Sequence, residues 1–361
     1  MKILYISPEN TVGVLSVWQR AHREAGNECR FVTFYPSWAG YEEDICLNLP
    51  LISTKSWFTK TRNKIYQQSR GKLGDQTEKR GNPPIWRPEN AFQKMFFSFR
   101  DWLWKFKIEP AVREYNLTDF DVFHFEWGLD FYRHSGFAKR MKEQGKHIVC
   151  HYHGQDMRTR GVISAMDEIS DLNLTNEPDL FLRHPKMEYV FLPFDVKSII
   201  PKTRWNEKIK ICHATTNRFY KGSEKIIEIC EKLENENLCK FVLIENMPHC
   251  EAIQKKSECD INIDQITEVG GWGWGMNSVE AMAMGLCCVN FMNSECEKMF
   301  PDHPFVNTTA ENLEKKLRNL LKNSEQIAEL GNCARVWVLK NHHYEIVREK
   351  LYEKYRKRGW M

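Results

Sequence analysis

Apolar residues fall in short blocks along the chain, and most blocks lead through a loop into a stretch with helical spacing of apolar and polar positions. KILYIS (2–7) predicts a strand, PENTVG (8–13) a loop, VLSVWQRAHREAG (14–26) a helix closed by Gly26, and CRFVTFY (29–35) a second strand. Strand, loop, helix, strand is a βαβ unit, and its right-handed crossover makes the sheet parallel. The theme returns in DVFHFEW (121–127), a helical stretch through 142, and KHIVCHYHG (146–154). It restarts with KIKICHATT (208–216) and the helix SEKIIEICEKL (223–233), whose Ile226, Ile227, Ile229, Cys230 and Leu233 form one stripe. Strand 240–245, helix 249–258, strand 260–264, helix 277–285 and strand 286–291 follow. The stretch from 311 to 358 is expected to be helical throughout. Two α/β halves meet near LPFDVKSIIPKTRW (192–205), the expected hinge.

Length adds that two domains are expected, since 361 residues exceed the usual domain size of roughly 150 about twofold. Lys and Arg total 52 against 48 Asp and Glu, a formal charge of +4, too small to make the whole protein a nucleic-acid binder. No apolar run reaches the ~18 residues of a spanning helix, and MKILYIS enters a strand without a cleavage signature, so a cytoplasmic location is expected. The twelve cysteines include no C-x-x-C pair, and several sit in strand-like runs such as IVC (148–150) and LCCV (286–289). They are expected to be reduced core residues, neither zinc ligands nor disulfides.

One segment departs from this pattern. Residues 54–107 carry thirteen Lys/Arg and four Asp/Glu, a balance of 13 − 4 = +9, which leaves 4 − 9 = −5 for the rest. It also holds eleven aromatics, among them Trp57, Trp86, Phe96, Phe97, Phe99, Trp102 and Trp104, and its middle (69–84) is rich in Gly and Lys. The aromatics of the helical stretch 91–107 are expected to pack into the domain. The charge makes the segment a candidate surface for anionic lipid or nucleic-acid phosphate.

An open α/β sheet binds ligands at the C-terminal ends of its strands. After strand 208–213 comes HATTNRFYKGS, with Arg218 and Lys221 on the loop entering the next helix. After strand 260–264 comes VGGWGWGMNSVE (269–280), with Gly270, Gly271, Gly273 and Gly275 leading into a helix that begins at Met276, Asn277 and Ser278. Glycines there let backbone approach a diphosphate, the helix start offers amides and a positive dipole end, and the two cations neutralise charge. Glu280, one turn into the helix, is a candidate acceptor for ribose hydroxyls. Asp119-Phe-Asp121 mimics a D-x-D metal motif, but it precedes a strand and is expected to be a turn; no metal is expected. No triad of a hydrolase can be assembled from spacing.

Residues 259–291, CDINIDQITEVGGWGWGMNSVEAMAMGLCCVNF, resemble the donor-site signature of GT-B nucleotide-sugar glycosyltransferases, and are similar to glycosyltransferase family 4. HATTNRFYKG is similar to that family's basic loop, and HYHGQDMR (151–158) to its H-x-x-G-x-D-x-R segment. The resemblance implies an α/β GT-B fold: two Rossmann-like domains facing a central cleft, with the C-terminal helix crossing back. The implied domains are 1–195, binding the acceptor and carrying the insertion; 196–340, binding the donor; and a returning helix, 341–361. It gives His151 a catalytic role, with His153 beside it, and sets Arg218 and Lys221 on the donor diphosphate. Gly13 in ENTVG would bring backbone near the same diphosphate. Asp156 stands as either a helix cap or an acceptor for a sugar hydroxyl. Trp272 takes the place of the first of two family glutamates eight positions apart, and with Trp274 is a candidate sugar contact. His151 and His153 alternate along a strand end and are expected to point to opposite sides.

The resemblance thus implies transfer of a sugar from a nucleotide-diphosphate donor to an acceptor hydroxyl, with retention and without a permanently bound cofactor. The acceptor would be a glycan, a lipid-linked species or a polysaccharide; a hydroxylated base of DNA or RNA is an alternative. Membrane or nucleic-acid contact would run through 54–107. A non-catalytic GT-B scaffold is the third expectation, motivated by Trp272 in place of an acid.

Overall fold

A computed structural model describes residues 1–37, 39–51, 81, 83–154 and 156–361. Residues 54–80 and 82 of the basic stretch therefore lie outside the described residues. The chain divides into two units, Met1–Val190 with Leu351–Met361, and Phe191–Lys350.

In the first unit, β1 (Lys2–Ser7), β2 (Glu28–Thr33), β3 (Ile45–Cys46), β4 (Val122–Glu126), β5 (His147–Tyr152), β6 (Leu172–Thr175) and β7 (Met187–Tyr189) form one sheet in the order β3-β2-β1-β4-β5-β6-β7. Every pairing is parallel. Parallel strands covered on both faces read as unbroken apolar runs, and Leu4, Ile6, Phe123, Phe125, Ile148 and Cys150 lie in one core cluster. Helix Val14–Glu24 buries Val14, Leu15, Trp18, Ala21 and His22, the single face a helical period dictates. The C-terminal residues return here: Tyr352 Oη meets His22 Nδ1 at 2.7 Å, and Trp360 stacks on His147.

The second unit pairs β8 (Lys210–Ala214), β9 (Lys240–Ile244), β10 (Ile261–Ile263), β11 (Cys287–Asn290) and β12 (Val306–Asn307), all parallel, in the order β12-β11-β10-β8-β9. Helix Ser223–Asn235 buries Ile226, Ile229, Cys230 and Leu233, while Ile227 is only half-buried. In each sheet the chain leaves one central strand and later resumes on its other side, between β1 and β4 in the first unit and between β8 and β10 in the second. Such a switch point is where the loops of adjacent strands part and open a crevice for ligand.

Three expectations change. The C-terminal stretch is three helices, Leu313–Leu321, Ser324–His342 and Tyr344–Arg356, with the Asn323 side chain capping the second through Gln326 N at 3.1 Å. The helix expected at 91–107 runs Ala91–Glu114 and holds Pro110 inside. Its aromatics divide: Trp104 is buried, whereas Phe92, Phe96, Phe99, Trp102 and Phe106 are exposed. The twelve cysteines are free, and nine of them are buried.

Candidate functional site

In the second unit the site grows from the ends of β8, β9 and β10. Asn217 caps the one-turn helix Arg218–Lys221, its side chain accepting from Phe219 N at 3.1 Å. That turn presents both cations expected from the sequence, and neither is idle. Arg218 forks onto Glu245, just past β9, through Nε at 2.9 Å and Nη2 at 2.6 Å, and reaches Glu224 at 3.1 Å. Lys221 Nζ bonds the carboxylate of Asp264, the residue after β10. Asp264 is fully buried and also accepts from Ser278 Oγ at 2.6 Å. Burial pushes its carboxyl up, but the Lys221 charge and the bonds from Lys221 and Ser278 outweigh this and hold it below the ordinary range. Asp264 thus ties the basic turn to the helix start in a single junction at the switch point.

The glycine-rich turn lies over that junction. Gln265 Nε2 donates to the carbonyls of Gly271 and Gly273 at 3.0 Å each, and Asn290 Nδ2 donates to Gly273 at 2.6 Å. Across a trans peptide the next N–H points opposite to the carbonyl, so the amides of Trp272 and Trp274 face away from Gln265. Gly271 and Gly273 sit at φ +115° and +89°, backbone that glycine adopts freely. Helix Met276–Ala283 follows, with Gly275 at its N-cap and half-buried Met276 and Asn277 opening its first turn. Its first amides have no intrahelical acceptor.

Glu280 is engaged within the protein: Oε2 accepts from buried Lys256 at 2.6 Å, and Oε1 meets His249 Nε2 at 2.7 Å. Both oxygens of this candidate ribose acceptor are thus already in use. Trp274 differs from its expected part as well. It is buried among Phe300, Phe305 and Trp337, with Nε1 donating to His342 Nε2 at 3.0 Å, which makes it a core residue and removes it from the sugar contacts. Trp272 remains half-buried on the turn.

In the first unit the ends of β4, β5 and β6 converge. His151 and His153 lie on one side, against the expectation of opposite sides: residues two apart along a strand share a face, and His153 keeps that direction just past the end of β5 at Tyr152. Both rings turn to Glu126, the last residue of β4: His151 Nδ1 lies 3.2 Å from Oε2, and His153 Nε2 bonds the same oxygen. His153 Nδ1 meets Asn176 Oδ1 at 3.0 Å. Burial disfavours the His153 cation, yet the bond to Glu126 and its charge prevail and raise the pKa. His151, buried beside that cation, is pushed down. Glu126 is raised by burial but lowered further by the two imidazoles, and ends well below the carboxylate range. With its Nδ1 proton on Glu126, His151 keeps Nε2 as an acceptor; that atom is buried and has no hydrogen-bond partner among the described residues. Glu126, His151 and His153 place three ligand atoms within 4.8 Å of one another, a set that could hold a divalent cation with both imidazoles neutral.

Asp156 acts as a cap, its carboxylate accepting from His153 N at 3.1 Å and Met157 N at 2.7 Å. Arg158 is locked between Glu177, at 2.6 Å, and Asp179, at 2.7 Å from Nε. Gly13 stands at φ +72° after β1, and a Cβ there would fall 2.8 Å from the Tyr41 ring, so Tyr41 lies directly over this loop. Asp119 and Asp121 form a turn before β4: Asp121 accepts from Lys2 N and Asp119 from Lys2 Nζ. Sequence reasoning missed Glu126, Glu245 and Asp264. The signal was present, since each of three apolar runs (VFHFE, KFVLIE, INID) ends in an acid at the strand end where ligands bind.

A family model described as glycosyl transferase-like matches residues 228–352. No curated protein matches the sequence. Among solved structures, Alr3699/HepE of Anabaena, solved with UDP-glucose, is 11% identical, covers 99% of this chain and 100% of its own, and superposes with a TM-score of 0.56. TarM of S. aureus, solved with fondaparinux, alpha-GlcNAc-glycerol and UDP, is 10% identical over 98% of this chain and 99% of its own, with a TM-score of 0.59. A UDP-GlcNAc 2-epimerase from Neisseria meningitidis, bound to UDP-GlcNAc, is 9% identical over 99% and 100%, with a TM-score of 0.52. At these identities the likeness is one of fold. The fold is GT-B, an architecture of two Rossmann-like units that serves group transfer and epimerisation alike.

Proposed function

We propose that the protein is a glycosyltransferase that moves a sugar from a nucleotide-diphosphate donor to an acceptor hydroxyl, with retention at the anomeric carbon. The observation that carries this is the junction of Lys221, Asp264 and Ser278 beneath the glycine-rich turn. It sets a cation and a helix start at the switch point of the second sheet, where a diphosphate would be gripped. The glycosyl transferase-like match begins at residue 228 and takes in that turn and helix, which favours transfer over epimerisation.

In the proposed reaction the bond from the anomeric carbon to the diphosphate oxygen breaks, and the acceptor oxygen bonds that carbon. The acceptor proton passes to the departing phosphate. Lys221, Arg218 and the amides of Met276 and Asn277 stabilise the charge that develops there, the largest single contribution open to such a site. Arg218 must exchange Glu245 for the phosphate, which its partial exposure permits. His151, held by Glu126, offers Nε2 to a sugar hydroxyl once donor binding uncovers that buried atom, and Trp272 offers a ring to the sugar. Neither step uses a permanently bound cofactor.

The test is a panel of nucleotide sugars incubated with the protein, scoring nucleotide release with and without acceptors, followed by the Arg218→Ala, Lys221→Ala double variant. Nucleotide release that disappears in the double variant supports the assignment. Transfer at the wild-type rate in that variant overturns it, and conversion of a donor to its epimer without release of nucleotide replaces transfer by epimerisation.

A further inference from the structure

Helix Ala91–Glu114 is apolar on two faces. One face is committed to the core of its unit: Trp104, Ile108, Ala111 and Val112 are buried, and Trp104 Nε1 donates to Pro50 O at 2.7 Å. The other carries Phe92, Met95, Phe99, Trp102 and Phe106, at intervals of three and four residues, which line up as one stripe. These side chains are exposed by 72, 62, 53, 56 and 63% respectively. Phe99 stacks on Trp102 at 5.8 Å, and Trp102 meets Phe106 edge-on at 5.1 Å, so the stripe is a continuous apolar surface about 21 Å long by the helical rise. A helix apolar all round is normally covered all round, and a patch of this kind marks an interaction site.

The surroundings of the stripe say what would cover it. Lys94, Lys105 and Lys107 stand exposed along its flanks, within a segment whose sequence carries +9. A cavity of about 570 Å³ opens beside it, where the cations Lys94, Lys105, Arg133 and Arg140 outnumber the acids Asp101 and Glu109. Arg133 lies over the rings of Trp86 and Phe97 at 4.8 and 4.6 Å. A second copy of the chain would bring two strongly cationic segments together. A nucleic acid would find cations, but the stripe itself bears none, and Met95 offers no ring for a base. An aromatic stripe edged by lysines is the pattern of a helix that lies in the plane of a bilayer interface and draws anionic headgroups to its flanks.

We infer that the outer face of helix Ala91–Glu114 docks on an anionic lipid bilayer, with Phe92, Met95, Phe99, Trp102 and Phe106 entering the headgroup–acyl boundary and Lys94, Lys105 and Lys107 meeting lipid phosphates. This does not depend on the transferase assignment.

Flotation of the full chain with vesicles tests it, comparing phosphatidylcholine alone with phosphatidylcholine containing about one third phosphatidylglycerol. The wild type is expected to float with the mixed vesicles and at least tenfold less with the neutral ones. The variant F99S/W102S/F106S is expected to lose flotation at least tenfold while its melting temperature stays unchanged, since these side chains are exposed. K94E/K105E/K107E is expected to lose the preference for the anionic vesicles. A wild type that stays at the bottom with both vesicle types overturns the inference, as does undiminished flotation of the serine variant. Sedimentation of the wild type as a dimer that the serine variant abolishes, without vesicle binding, would assign the stripe to self-association.

Discussion

Arg218 and Glu245 form a two-pronged pair, Nε at 2.9 Å and Nη2 at 2.6 Å from the carboxylate, at the place where the sequence alone suggests a cation free for phosphate. The basic turn is therefore prepared in a charged, oriented state, with its counter-charges supplied by the strand ends. Arg218 and Lys221 differ in how firmly they are held. The first is partly exposed, and solvent screening leaves such a pair little net worth; the second serves a carboxylate without solvent access.

That difference predicts distinct kinetics. Glu245→Gln releases Arg218 for the diphosphate, so the donor KM should fall by up to about fivefold, the range set by an exposed pair. Lys221→Ala removes charge stabilisation at the leaving group and should lower kcat by about 10²–10³. Steady-state kinetics on the best donor of the panel separates the two, and an unchanged KM in Glu245→Gln would remove Arg218 from the phosphate site.

The pair of His153 and Glu126 gives the first unit a pH signature. The folded pKa of His153 is raised above its unfolded value of about 6.5. The stability it contributes is complete below that value and drains away as pH rises through the folded one. Glu126 is depressed, so its share is present above about pH 4.3 and is lost as pH falls through its folded value. Glu126→Gln keeps the shape and removes the charge that favours the imidazolium. The His153 titration, followed by side-chain NMR, should then move to lower pH, and any alkaline limb in activity should move with it. A titration that stays in place would mean that another group holds the proton.

Much of this organisation was legible in the sequence because the signals were long. The runs 3–6, 148–150 and 241–244 are apolar throughout, and the helix beginning at Ser223 shows its stripe without ambiguity. β3 and β12, at two residues each, and β7, at three, are too short to carry any periodicity and depend on a neighbouring strand for their existence. Single residues were harder. Trp274 stands in a glycine turn that looks open, and only the packing of Phe300, Phe305 and Trp337 around it shows that it is core. His151 and His153 were legible as a pair, but their shared target comes from β4, about 25 residues earlier in the chain. The exposed ring stripe on helix Ala91–Glu114 was hidden because apolar residues on two of its faces blur the helical period and leave no single stripe from which to read an orientation.

Lys256 and Glu280 make a buried ion pair at 2.6 Å that joins helix His249–Ser257 to helix Met276–Ala283. Removing one partner strands the other's charge, at a cost of about 3–5 kcal/mol, while replacing both by apolar or neutral groups of similar size is often close to neutral. Lys256→Ala should therefore lower the urea midpoint of the second unit sharply, and Lys256→Met with Glu280→Gln should recover most of it. Failure of the double variant to recover would point to a further role for Glu280 in holding the helix start.

Trp272 and Trp274, two residues apart on the same turn, should respond to mutation in opposite ways. Trp274 fills an aromatic cluster and anchors it through the bond to His342, so Trp274→Ala opens a cavity and should cost about 3–5 kcal/mol in stability. Its effect on donor binding should follow only from unfolding and vanish at low temperature, where the folded fraction is restored. Trp272 is half-buried on the turn, at a position that the family resemblance makes a candidate sugar contact. Trp272→Ala should leave the melting temperature within a few degrees of wild type, since it vacates no closed core, while raising the donor KM. Thermal melts and donor titrations of both variants decide the matter. Loss of stability in Trp272→Ala with an unchanged KM would make both tryptophans structural and leave the transferred sugar without an aromatic platform on this turn.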